Sequence, residues 1–266
     1  MQSLISHSEY KIPTPGGELY AKSWKPLNLS SSDPLILLHD SLGCVDLWRD
    51  FPNLLSEKIK REVIAYDRLG FGRSSKREGL PSFQFIQEEC EIYLPFLLDF
   101  FKIQHFSLLG HSVGGAMAIV AAGRFGERCK SIITESAQTF IEERTRQGIL
   151  SAKKDFENPT FFSKLEKYHG DKARWVLEAW TEIWLSHSFA SWNLDTHLAS
   201  LKCPTLAIHG DQDEYGSIEF PKKIALLAAG AVQTEILSNC GHVPHRENVE
   251  QVLSLINDFF HVKLIE

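Results

Sequence analysis

Gly110-His111-Ser112-Val113-Gly114 follows the apolar run His105-Phe106-Ser107-Leu108-Leu109 and opens into Ala116-Met117-Ala118-Ile119-Val120-Ala121-Ala122. This succession predicts a strand, a very tight turn and a helix. Glycines two residues on either side of the serine let the strand and helix backbones close in beside it, so the hydroxyl projects above a sheet. As five residues the motif is weak, because Gly and Ser are common; its company decides what it means.

Upstream, Tyr10-Lys11-Ile12 and Leu19 to Trp24 flank Thr14-Pro15-Gly16-Gly17, turn chemistry that predicts an antiparallel hairpin. Pro34-Leu35-Ile36-Leu37-Leu38-His39 is the continuous apolar run of a strand buried on both faces. A helix over 46–58 and a strand over 62–66 follow, and strand alternating with helix signals a parallel sheet. Phe83, Ile86, Cys90, Leu94, Leu97 and Phe101 predict a helix over 82–101 with one core face and a kink at Pro95. Downstream, the helix after the serine runs to about Arg124, and a strand spans 130–134. From about 139 to 200 no strand-like run appears; Asn158-Pro159 interrupts helical text that holds four of the six tryptophans, Trp175, Trp180, Trp184 and Trp192. This segment reads as a helical lid inserted over one end of the sheet. It divides the chain into core (1–138), lid (139–200) and core again (201–266). The second core part predicts strands at 204–209 and 233–237 and helices over 217–229 and 244–260.

The 266 residues, 43% apolar and 23% charged, are ordinary for a globular protein. A formal net charge of −6 without a basic run argues against a nucleic-acid partner. No stretch approaches the roughly 18 apolar residues of a membrane span, and Met1 to His7 lacks the charged start and apolar core of a leader. A cytoplasmic protein without a membrane partner, monomer or homodimer, is the expectation. Five scattered cysteines without a C-x-x-C pair predict reduced thiols, with no disulfide framework and no metal site.

A serine hydroxyl is a poor nucleophile at neutral pH. It needs a histidine to take its proton and a carboxylate to hold that histidine in the right tautomer. In an open parallel sheet such groups belong at the carboxyl ends of strands. Ile208-His209-Gly210-Asp211-Gln212-Asp213 leaves one predicted strand and Asn239-Cys240-Gly241-His242 the next. The order Ser112, Asp213, His242 is nucleophile, acid, base. Asp211 and Glu135 compete with Asp213, and His245 with His242; Asp211 suits a cap of the turn, and the glycine before His242 suits a sharp return into the crevice. Asp67-Arg68-Leu69-Gly70-Phe71-Gly72-Arg73-Ser74 is glycine-punctuated but lacks the lysine and the following helix of a phosphate loop, so no nucleotide cofactor is expected.

With these pieces in order the chain resembles the α/β-hydrolase superfamily over nearly its whole length. Leu38-His39-Asp40-Ser41-Leu42-Gly43 is similar to its H-G-x-x-G oxyanion loop, Asp67 to Ser74 to its D-x-x-G-x-G-x-S loop, Gly210 to Asp213 to its G-x-x-D turn, and Gly241-His242 to its G-H base. The resemblance implies a mostly parallel sheet with an antiparallel N-terminal hairpin, helices on both faces and a helical lid. It also implies attack by Ser112 on a carbonyl carbon, with Asp213 orienting His242 and the backbone N–H groups of Ser41 and Val113 forming an oxyanion hole. The substrate expected is a small ester, thioester or lactone, with no metal or organic cofactor. Cleavage of a carbon–carbon bond in a dienoic keto acid is the neighbouring alternative, for which Arg144, Arg146 and Arg174 are the available cations. A receptor without turnover is the rival from outside enzymology.

Asp40 departs from the motif, standing where glycine is usual; Asp tolerates an αL backbone, but its carboxylate would oppose the oxyanion unless it points away or pairs with a cation, and it is expected to point away and do structural work rather than touch substrate. Trp180 and Trp184 are candidate substrate contacts. Cys44 and Cys240, close in sequence to the site, are expected to behave as buried small hydrophobes.

Overall fold

A computed structural model of the protein describes residues 5–261. Residues 1–4, the first part of the Met1 to His7 stretch, lie outside them. An eight-stranded sheet runs in the order β1-β2-β4-β3-β5-β6-β7-β8. Its strands are β1 (Ile5–Thr14), β2 (Gly17–Pro26), β3 (Leu35–Leu38), β4 (Val63–Tyr66), β5 (Phe106–His111), β6 (Cys129–Glu135), β7 (Thr205–Gly210) and β8 (Val232–Leu237). β1 pairs with β2, and β2 with β4, antiparallel; the other pairings are parallel.

The run from Leu35 to Leu38 is continuous because each residue packs on one of two faces. Leu35 and Leu37 join Val63, Ala65, Leu109 and Ile133 against α1 (Phe51–Ile59), while Ile36 and Leu38 join Ile64, Leu108 and Ile132 on the other face. That second face is covered by α2 (Phe85–Glu88), α3 (Leu94–Phe100) and α4 (Val113–Phe125). Between β6 and β7 lie α5 (Glu143–Asp155), α6 (Pro159–His169), α7 (Ala173–Trp184) and α8 (Asp195–Ala199). α9 (Glu219–Leu227), α10 (Pro244–Glu247) and α11 (Val249–His261) complete the chain. Among the described residues no helix is long and apolar enough to cross a membrane.

Two predicted helices are broken. The 46–58 segment begins as a 3₁₀ turn, Val45–Trp48, and Arg49 takes a positive φ of 54° before Pro52 opens α1. The 82–101 segment starts at Phe85 and carries a π turn, Glu89–Tyr93, directly ahead of α3. Pro95 therefore sits in the first turn of α3 instead of kinking a continuous helix, since a proline there removes no obligatory hydrogen bond. Of the predicted core face, Ile86, Cys90, Leu94 and Leu97 are buried, whereas Phe83 is exposed.

Among the side chains that fasten the helical segment after β6 to the sheet's loops are His169 and Lys172. His169 accepts from Gly72 N–H through Nδ1 and donates to the Leu42 carbonyl through Nε2, each at 2.9 Å. Lys172 donates to the carbonyls of Gly72, Phe71 and Ser74.

Candidate active site

β5 and α4 meet at Ser112, whose φ of 57° and ψ of −123° mark a strained turn. A Cβ on Gly110 would lie 2.1 Å from the Gly114 carbonyl oxygen, and one on Gly114 2.1 Å from that of Leu38. Both positions therefore require glycine. Val113 is the first residue of α4, so its N–H lacks an intrahelical acceptor. Ser112 Oγ donates to Gln138 Oε1 at 3.2 Å, so in this structure its hydrogen bond goes to Gln138 rather than to His242.

Asp213 follows β7 and His242 follows β8. The imidazole donates through Nδ1 to both carboxylate oxygens of Asp213, at 2.9 and 2.8 Å, which leaves Nε2 as the acceptor. Oδ1 of Asp213 also accepts from Tyr215 N–H and Gly216 N–H, at 2.8 and 3.1 Å. Burial pushes the carboxyl up, but His242, His209 and the Tyr215 amide together hold it below the ordinary carboxylate range. The Tyr215 ring stands edge-on to His242, with centroids 4.8 Å apart. Of the competitors, Asp211 is exposed, and the turn it was expected to cap is bonded by Asp213 itself. Glu135 and His245 pair with each other at 2.7 Å, beneath the rings of Trp48 and Phe51. The left-handed residue of the base loop is Asn239, with φ 56°, rather than Gly241.

In the loop after β3, Leu42 N–H donates to Asp40 Oδ1 and Gly43 N–H to the Asp40 carbonyl, so the N–H left beside the cavity is that of Ser41. Asp40 needs no left-handed backbone, because its φ is not positive. Its carboxylate is engaged by protein groups, Oδ1 by Leu42 N–H and Oδ2 by His111 Nδ1 at 3.3 Å, although the residue is among those that line the cavity of Ser112.

Ser112 and His242 open into one cavity of about 140 Å³, walled by Leu42, Ile149, Trp180, Trp184 and Val243. Gln138, Thr145 and Tyr215 add polar groups to it, and among the described residues no lysine or arginine does. Arg144 donates instead to the Asp213 carbonyl at 3.2 Å, Arg174 lies over the Phe162 ring, and Arg146 is likewise outside the lining. A smaller adjoining cavity shares Ser41, Trp180 and Trp184 and contains Arg68, Arg77 and Trp175. Trp192 stacks on Phe189, away from both. Cys44 and Cys240 are free and buried; burial pushes the Cys240 thiol up to about 11 and that of Cys44 further. Among the described residues no group of three or more His, Cys, Asp or Glu side chains is placed to hold a metal ion. Gln138, Thr145 and Tyr215 escaped the sequence reading. Gln138 and Tyr215 carried one usable signal, since each follows a strand end on the side where the loops converge.

Comparison with known proteins agrees with this fold. The alpha/beta hydrolase fold profile matches residues 33–171, just over half of the chain. The 2-hydroxy-6-oxo-2,4-heptadienoate hydrolase of Pseudomonas putida is 25% identical over 255 residues, covering 87% of this chain and 90% of that protein. Among solved structures, a serine hydrolase from the polyaromatic-hydrocarbon-degrading bacterium Cycloclasticus zankles aligns with a TM-score of 0.78 at 18% identity, covering 98% of this chain and 100% of that one. The enol-lactonase of Burkholderia xenovorans aligns with a TM-score of 0.73 at 17% identity, covering 94% and 99%. By its sequence profile and by its sheet, the chain belongs to the alpha/beta hydrolase fold family.

Proposed function

We propose that the protein is a serine hydrolase that cleaves a small ester, thioester or lactone through an acyl-enzyme. The observation that carries this is a single cavity lined by both Ser112, on its strained turn, and His242, whose Nδ1 is fixed on Asp213. His242 Nε2 takes the hydroxyl proton as Oγ attacks the carbonyl carbon, once the hydroxyl has left Gln138. The oxyanion is held by the N–H groups of Ser41 and Val113; losing one such donor costs about a hundred- to a thousandfold in turnover. The acyl–oxygen bond then breaks and the alcohol departs with the proton from His242. Water, deprotonated by the same nitrogen, releases the acid and restores Ser112.

In this reading residues 139–200 act as the lid, with Trp180 and Trp184 as the substrate wall. An apolar cavity of about 150 Å³ accepts benzene, so the space here suits a short acyl or phenyl-sized group. Among the described residues no lysine or arginine lines it, and this favours a neutral substrate. Hydrolysis of a carbon–carbon bond in a dienoic keto acid is the second reading. It is favoured by the near full-length similarity to the Pseudomonas putida hydrolase and by Arg68 and Arg77 in the adjoining cavity.

The test is incubation with a fluorophosphonate. Ser112 is expected to be labelled, p-nitrophenyl acetate hydrolysis to stop, and both responses to be absent in Ser112→Ala. Folded protein that neither labels nor turns over short esters would instead be a receptor on this fold. A dienoic keto acid hydrolysed faster than any ester would establish the second reading.

A further inference from the structure

His111, the residue before Ser112, is buried with both ring nitrogens facing acceptors. Nε2 lies 2.8 Å from the His242 carbonyl oxygen and Nδ1 lies 3.3 Å from Asp40 Oδ2. A neutral imidazole has one N–H and one lone pair, so it satisfies only one of these acceptors. An imidazolium opposite an ionised Asp40 satisfies both. We infer that part-buried Asp40 and buried His111 form an ion pair that holds the oxyanion loop, the serine turn and the base loop in register, and that discharging it sets the alkaline limit of activity. They are positioning residues, and this role rests on the serine-hydrolase reading above.

Each end of the pair grips a different catalytic segment. Asp40 Oδ1 accepts Leu42 N–H at 2.7 Å, which braces the loop that carries Ser41. Arg68 Nη2 and His39 Nδ1 both donate to the Asp40 carbonyl at 2.8 Å, so its backbone is fixed as well. His111 is covalently joined to Ser112 and hydrogen-bonded to the backbone of His242. Displacing the pair therefore moves donor, nucleophile and base together. The carboxylate that departs from the family motif is thus neutralised by its partner instead of opposing the developing oxyanion.

The surroundings support this charge state. Burial disfavours both charges, but Asp40, Glu135 and the His242 carbonyl raise the His111 proton affinity above its ordinary value. Burial likewise works against ionised Asp40, yet His111, His39 and the Leu42 amide hold its carboxyl far below the usual range. The other titratable or charged groups around the pair are His242 and His245 beside His111, and Arg68, His169, Tyr215 and Arg246 around Asp40.

Two substitutions separate charge from hydrogen bonding. In Asp40→Asn the amide oxygen stays on Leu42 N–H, so the amide NH₂ faces His111 Nδ1, which then accepts while Nε2–H still serves His242. The bonds survive without charge. Asp40→Ala removes both. In the wild type, labelling and turnover should fall as pH rises through the His111 titration. Asp40→Asn should stay within about threefold at pH 7, the worth of one modest hydrogen bond, and lose that alkaline fall. Asp40→Ala should lose about a hundredfold in kcat, the cost of a small misplacement, with KM little changed. Imidazole nitrogen NMR, which needs no activity, should show His111 doubly protonated at pH 7 in wild type and in Ser112→Ala, and neutral in Asp40→Asn. A neutral His111 in wild type overturns the ion pair. Folded Asp40→Ala labelling at the wild-type rate, or an alkaline fall unchanged in Asp40→Asn, overturns its positioning role. Wild type that never labels refutes the hydrolase reading instead, and the NMR result still decides the pair.

Discussion

Asp213→Asn is the most informative single substitution, because the structure dictates which way the new amide must face. Oδ1 of Asp213 accepts two backbone N–H groups, from Tyr215 and Gly216. In the variant the amide oxygen has to remain there, 2.9 Å from His242 Nδ1, which puts the NH₂ group where Oδ2 now lies, at the shorter 2.8 Å. A donor facing Nδ1 makes that nitrogen the acceptor and moves the ring proton to Nε2. The nitrogen that faces the cavity is then occupied and cannot take the proton of Ser112. A wrong tautomer with intact geometry costs about 10⁴ in kcat, or about 5 kcal/mol of transition-state stabilisation. Turnover of p-nitrophenyl acetate and the rate of fluorophosphonate labelling should both collapse, while circular dichroism shows folded protein. Asp211→Asn, at an exposed side chain two residues away, should match the wild type. Folded Asp213→Asn within tenfold of wild type, or a collapse in Asp211→Asn, would refute the argument.

Three further outcomes are expected. Gly114→Ala places a methyl 2.1 Å from the backbone oxygen of Leu38, where nothing flexible can yield; a loss of about 3 kcal/mol or more should lower Tm by about 10 °C in a thermal melt, or abolish soluble expression. His169 accepts Gly72 N–H and must be neutral, and burial lowers its folded-state proton affinity, so its contribution is complete above the ordinary histidine value of about 6.5 and is lost as pH falls toward the lowered one. Melting curves from pH 7.5 to 5 should therefore fall less steeply in His169→Gln, by at most about 1.4 kcal/mol per pH unit; an unchanged slope would show that the ring does not titrate there. Trp180 lines both cavities, so Trp180→Leu should join them and raise kcat/KM for p-nitrophenyl hexanoate relative to acetate by about tenfold, a little under half of the transfer free energy of four methylenes. A ratio that stays put would place the acyl chain elsewhere.

What was legible in the sequence follows burial. Every residue of β3, β4, β5 and β7 is buried, so these strands read as plain apolar runs. β1 and β8 lie at the sheet edges; β1 buries only Ile5 and Ile12, and β8 only Leu237, so their limits were read short. Both broken helices hide for a related reason: the apolar face survives the break. Ile86, Cys90 and Leu94 stay on one side across the π turn, at successive spacings of four, and that slow drift from a 3.6-residue period is the signal that a wider turn leaves. The Asp40–His111 pair was not legible. Nothing in sequence spacing brings the second residue after β3 against the last residue of β5; parallel pairing of those strands does.

The proposed acid and base positions show why strand ends alone underdetermine such a site. The sequence offers two carboxylate–histidine sets after the strand ends, and the structure pairs them as Asp213 with His242 and Glu135 with His245. Both pairs are buried and both use Nδ1, so hydrogen bonding does not distinguish them. Position does. His242 reaches the cavity that Ser112 lines, whereas His245 lies under Trp48 and Phe51, with His111 between it and the cavity side. Glu135 is further committed by its own backbone, whose carbonyl accepts Ser112 N–H at 2.8 Å. The second pair thus supports the serine turn from below. A site of this kind is assembled from strand ends, and the rings packed around each imidazole decide which of two chemically equivalent pairs can meet a substrate.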